Sequence, residues 1–88
     1  MKKKYRLHYQ VVDGYEPTDG KRNYLCFTII TPNSDKLKTL AIDEDIYRKI
    51  LRKCESVNAR EQTEKFIINT LKQRINDGKY QGSIELAV

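Results

Sequence analysis

Lys2, Lys3, Lys4 and Arg6 open the chain, and His8 follows two residues later. Successive side chains of an extended strand point to opposite faces, so Lys4, Arg6 and His8 form one outward basic row. The chemistry open to such a row is phosphate capture, in which cations grip a polyanion without reading its sequence. The same lysines would also guard an edge strand against pairing with other chains, or solubilise a terminus. Arg48, Lys49, Arg52 and Lys53 make a second cationic group at helical spacing, and Lys21 and Arg22 a third pair. Cations late in a helix also suit the negative end of its dipole, so the second group has a structural reading beside the phosphate-facing one.

The charge count locates the basicity. The chain carries 17 Lys and Arg against 12 Asp and Glu, a net charge of +5 over 88 residues. Four of those cations and no acid fall within the first six residues, which leaves a nearly neutral body.

Other chemistry finds less support. His8 has no nucleophile near it in sequence, and no glycine-rich phosphate loop occurs. Asp13-Gly14 and Asp19-Gly20 are turn dipeptides without the oxygen-ligand spacing of a calcium loop. Asp43, Glu44 and Asp45 are consecutive at a helix start, where capping explains them better than convergence on one ion. Cys26 and Cys54 with one histidine fall short of a four-ligand zinc site, and both thiols read as small core residues. The expectation is a chain that is not an enzyme and holds no metal or cofactor.

The elements that must position these residues follow from periodicity. Tyr5, Leu7, Tyr9 and Val11 alternate with the basic row, so the first strand is half-buried and its tyrosines belong to the core rather than to a stacked base. Residues 13–23 form a loop longer than an ordinary hairpin connection, with Tyr15 a candidate exposed contact; Tyr24 and Tyr80 are two more. Tyr24–Ile30 is β-branched and aromatic on both faces, which predicts a central, well-covered strand. Pro32, Asn33, Ser34 and Asp35 end it, and Leu37–Ile42 reads as a short third strand.

Asp43 then caps a helix whose apolar stripe is Ile46, Tyr47, Ile50, Leu51 and Cys54. A second helix is expected to start near Asn58, where Glu61 three residues on completes a capping-box spacing. Its apolar positions are Phe66, Ile67, Leu71 and Ile75, with Ile68 to one side, and Gly78 is the expected left-handed stop. Ser83–Val88 alternates again and reads as a last strand returning to the sheet.

The fold class is therefore α+β: a two-layer domain filling residues 1–88, an antiparallel sheet of three or four strands with two helices on one face, in the order β-β-β-α-α-β. Over residues 4–54 this order resembles the arm-type DNA-binding domains of phage integrases, whose three-stranded sheet lies in the major groove. The resemblance is one of element order and implies DNA as a partner. No apolar run approaches the roughly 20 residues that cross a bilayer, and the polar interruptions at Arg6, His8 and Gln10 argue against a signal peptide. The expected setting is cytoplasmic, with no membrane partner.

The function expected from these residues is that of a non-catalytic accessory protein of phage or mobile-element type. It binds DNA or RNA through Lys2, Lys3, Lys4, Arg6 and His8, supported by Lys21, Arg22, Arg48, Lys49, Arg52 and Lys53. The alternative is a protein-interaction module (a small inhibitor, adaptor or homodimer) that uses the sheet face the helices leave open. Whether the strand cations and the helix cations are contiguous bears directly on the first reading.

Overall fold

A computed structural model describes residues 2–14 and 20–88. Tyr15 lies outside the described residues. Four strands, β1 (Lys4–Val12), β2 (Tyr24–Ile30), β3 (Leu37–Asp43) and β4 (Gln81–Ala87), and two helices, α1 (Glu44–Arg52) and α2 (Val57–Asn76), follow one another in the order β-β-β-α-α-β. The strands form one antiparallel sheet in the spatial order β2-β3-β1-β4. This is the expected α+β class.

The cross-strand register sorts the side chains. Tyr9 sits opposite Ile42 and Val11 opposite Leu40, Tyr5 opposite Leu86 and Leu7 opposite Ile84, and Leu25 opposite Ile42. Directly opposed residues share a face, so all of these point toward the helices. They meet Tyr47 and Ile50 of α1 and Ile67, Leu71 and Ile75 of α2 in one core. Leu7, Ile42, Ile50, Ile67 and Leu71 exclude solvent completely. The opposite face is polar on β1 and β4, where it carries Lys4, Arg6, His8 and Gln10 and Gln81, Ser83 and Glu85. It is more apolar on β2 and β3, where it carries Tyr24, Cys26, Ile30, Leu37 and Ala41.

Each helix start is set by one side chain. Asp43 ends β3 and accepts a hydrogen bond from the Ile46 amide at 3.2 Å, which satisfies one of the first-turn donors. Ser56 does the same for α2, accepting from the Ala59 amide at 3.0 Å. The second helix thus begins at Val57, before the expected Asn58, because the Ser56 hydroxyl takes the capping role. Asn58 lies within the first turn. Gly78 closes α2 with a φ of +81°, the left-handed stop expected of it.

Four expectations are corrected. Tyr24–Ile30 is an edge strand rather than a central one. Its apolar residues on two faces reflect a partly covered edge, and the central strands are β3 and β1. Cys26 is exposed on that edge rather than buried, while Cys54 is half-buried with its Sγ 3.5 Å from both the Ile50 carbonyl and Thr63 Oγ1. Phe66 is 56% exposed. The buried stripe of α2 runs through Ile67, Leu71 and Ile75 at intervals of four, and Phe66 falls one position off it. Tyr24 and Tyr80 are both half-buried, Tyr80 against the core.

The long connection after β1 also has its reason. β1 and β2 are both antiparallel to β3, which lies between them. They are therefore parallel to each other, and a parallel pair needs a crossover rather than a tight turn.

Candidate functional site

The register of β1 creates a groove. Lys3 and Val88 exchange both main-chain hydrogen bonds, at 2.9 and 3.1 Å. Hydrogen-bonded direction alternates along a strand, so Tyr5, Leu7 and Tyr9 also turn their N–H and C=O groups to β4. Lys4, Arg6 and His8 turn theirs the other way, toward β3. However, β3 pairs with β1 only from Tyr9 to Val12. At Asp43 the chain leaves the sheet and becomes α1. The first half of β1 therefore faces a helix where its second half faces a strand.

The space left between them is a groove of about 710 Å³. Lys3, Lys4, Tyr5 and Arg6 form one wall and Ile46, Lys49, Arg52 and Lys53 the other. Ile46 and Lys49 of α1 and its C-cap Lys53 recur at helical spacing along one side, next to the buried stripe of Tyr47 and Ile50. The core contacts of that stripe hold the cationic side of the helix against the strand. Tyr5 is buried and Ile46 half-buried, so the base of the groove is apolar and its rim basic.

Among the described residues, eight line the groove; six of them are cations and none is acidic. The main-chain amides of Lys4 and Arg6 point to the same side, where no described strand receives them. Positive side chains together with amide donors are what a phosphate oxygen requires. Two contacts modulate the cations. The Lys3 ammonium lies 5.6 Å from the centroid of the Tyr5 ring, a cation–π distance. Arg6 Nη2 lies 3.2 Å from Glu85 Oε1 on β4, with both side chains more than half exposed.

The remaining expected site residues fall elsewhere. His8 and Arg22 line a second recess with Gln10, Tyr24 and Gln81, on the polar face beyond the groove. Arg22 also lies 3.5 Å from Asp43. Arg48 points away from the groove and bonds Glu44 one turn earlier at 2.8 Å. Lys2 and Lys21 are exposed and belong to neither wall. The structure thus unites Lys3, Lys4 and Arg6 with Lys49, Arg52 and Lys53, and sets the other five apart.

Sequence reasoning missed Tyr5 and Ile46 as the base of the groove. Both carry core signals, and only the early departure of β3 exposes their flanks. It also missed a second, apolar groove of about 490 Å³ between β2 and α2, lined by Phe27, Ile29, Leu40 and Ile68 among others.

Among the described residues no group of three or more His, Cys, Asp or Glu is placed to hold a metal ion. No described helix is long and apolar enough to cross a membrane. No family model, no curated protein and no solved structure matches this chain.

Proposed function

We propose that this chain is a non-catalytic nucleic-acid-binding accessory protein of phage or mobile-element type. The observation that carries this reading is the β1–α1 groove, where two separate basic segments converge on one concavity with no acid among its described lining residues. Lys3, Lys4, Arg6, Lys49, Arg52 and Lys53 hold phosphate oxygens. His8 and Arg22 extend the track across the polar sheet face, and Lys2 and Lys21 contribute long-range attraction. Unpaired thiols suit a reducing, cytoplasmic compartment.

Binding of this kind is weak, sequence-tolerant and steeply salt-dependent. Fluorescence anisotropy with labelled DNA and RNA oligonucleotides tests it. About six phosphate contacts should give a Kd on the order of 10⁻⁶ M or weaker, and affinity should fall roughly a thousandfold between about 50 and 200 mM salt. Absence of binding to either polymer at low salt would overturn the proposal.

A second reading, a protein-interaction module, has its own observation. Phe27, Ile30 and Leu37 are large apolar side chains left exposed at the β2 side of the sheet. Ile30 and Leu37 oppose one another on the face away from the helices, and Phe27 lies on the helix side, so the contact surface on this reading is the β2–β3 half of the open sheet face with the β2 edge.

A further inference from the structure

We infer that β2 is a self-pairing edge, through which two copies of this chain join into one continuous eight-stranded antiparallel sheet.

The edge is chemically open. The alternation that sends Lys4, Arg6 and His8 toward β3 also pairs Gln10 with Ala41, so odd-numbered residues of β3 bond β1 and even-numbered ones bond β2. On β2, Leu25, Phe27 and Ile29 therefore bond β3. Cys26, Thr28 and Ile30 turn their N–H and C=O groups outward, where no described strand receives them. Edge strands are ordinarily blunted by lysine, proline, a bulge or extreme shortness. The seven residues Tyr-Leu-Cys-Phe-Thr-Ile-Ile include no charge and no proline, and all seven pair with β3 in unbroken register.

A second copy fits this edge better than an unrelated strand because the edge is complementary to itself. Antiparallel pairing of a strand with its own copy is two-fold symmetric, the commonest closed assembly. With the axis beside Phe27, Cys26 exchanges both hydrogen bonds with Thr28 of the second copy, and Thr28 with its Cys26. On the helix side, Phe27 meets Phe27 of the second copy at the close spacing of a non-hydrogen-bonded pair, and Leu25 meets Ile29. Phe27 and Ile29 of that row also line the apolar groove, so the pairing adds apolar cover beside it on both copies. On the other face, Ile30, which is 68% exposed, gains Tyr24 of the second copy as its cross-strand neighbour, a favourable aromatic–β-branched pair.

Charge favours the same arrangement. Each chain carries +5, concentrated at the start of β1. Pairing through β2 separates the two β1 strands by five strand spacings, about 24 Å at about 4.8 Å each, well beyond the Debye length of about 8 Å at physiological salt. Pairing through β4 would leave three spacings, about 14 Å. A standard interface buries about 800 Å² per partner, an eighth of the 6426 Å² this chain exposes. One strand edge with the flanking apolar residues is smaller than that, so the dimer is weak, on the order of micromolar or looser.

Sedimentation equilibrium of the intact chain from about 1 to about 500 μM, at low and high salt, provides the test. Mass should rise from 10.4 kDa toward twice that value, and association should persist at high salt, because β2 itself carries no charged residue. Thr28→Pro removes an outward donor and leaves the β3 ladder intact; it should keep the chain monomeric at every concentration. Ser83→Pro does the same to the outer edge of β4 and should leave association unchanged. A second variant guards against misfolding of Thr28→Pro. Phe27→Cys in a Cys26→Ser, Cys54→Ser background should form a disulfide dimer on mild oxidation, since opposed residues of a non-hydrogen-bonded pair meet the bridge geometry. A monomer at the highest concentration, association untouched by Thr28→Pro, association lost in Ser83→Pro, or no crosslink in the Phe27→Cys variant would each overturn the inference.

Discussion

Arg6 and Glu85 face one another across the β1–β4 ladder, Nη2 to Oε1 at 3.2 Å. Arg6 is a wall of the cationic groove, so Glu85 competes with any phosphate for its guanidinium. An exposed ion pair contributes about 0.2–1 kcal/mol. Glu85→Gln should therefore bind oligonucleotide about two- to fivefold more tightly, with stability changed by less than about 1 kcal/mol. Anisotropy titration beside a urea melt measures both, and an unchanged affinity would place Arg6 outside the binding site.

The phase of α2 makes a contrasting pair of substitutions. Ile67 is fully buried against the sheet, whereas its neighbour Phe66 is 56% exposed. Ile67→Ala should cost about 2–5 kcal/mol through lost burial and the cavity left behind. Phe66→Ala should cost under about 1 kcal/mol. Chemical denaturation separates them, and similar losses would mean that the buried stripe runs through Phe66 instead.

Tyr9 donates its phenol O–H to the Lys79 carbonyl at 2.9 Å. Burial raises its pKa above the ordinary phenol value, with Arg74 opposing the shift. Tyr47 is raised likewise, by burial and then by Glu64. A raised folded pKa means that the native state keeps its proton where the unfolded chain has lost it. The associated stability is fully present below about pH 10 and is lost as pH rises through the folded value. Tyr9→Phe removes the hydrogen bond, at a cost of about 1 kcal/mol near pH 8, and also removes one source of alkaline loss. The gap between the two proteins should narrow from about pH 8 to about pH 11. A gap that stays constant would mean that the Tyr9 phenol titrates alike in both states.

Much of this fold was legible residue by residue, because one face of each element is buried. The alternation of Tyr5, Leu7 and Tyr9 against Lys4, Arg6 and His8 marked both the core face and the basic face of β1. Asp43 and Gly78 announced one helix start and one helix stop. What stayed hidden depended on neighbours distant in sequence. Tyr24–Ile30 has the composition of a central strand, yet spatial order makes it an edge; no local pattern encodes which strand lies beside it. Cys26 became exposed for the same reason. In the candidate groove, the cations were visible and their convergence was not. Lys3 and Lys53 come together only because β3 ends opposite Tyr9 and the chain turns there into α1. Arg48 sits among the same helix cations, but helical rotation aims it at Glu44.

On the proposed function, the strand cations and the helix cations act as one site. Measuring the slope of log K against log salt for oligonucleotide binding tests it most directly, in the native chain and in two triple variants. One variant changes Lys3, Lys4 and Arg6 to Gln, and the other Lys49, Arg52 and Lys53 to Gln. Each lost phosphate contact lowers the slope by about 0.7 on a single strand, so each triple variant should lower it by about 2. A helix variant whose slope matches that of the native chain would contradict the shared groove and leave the N-terminal strand binding alone.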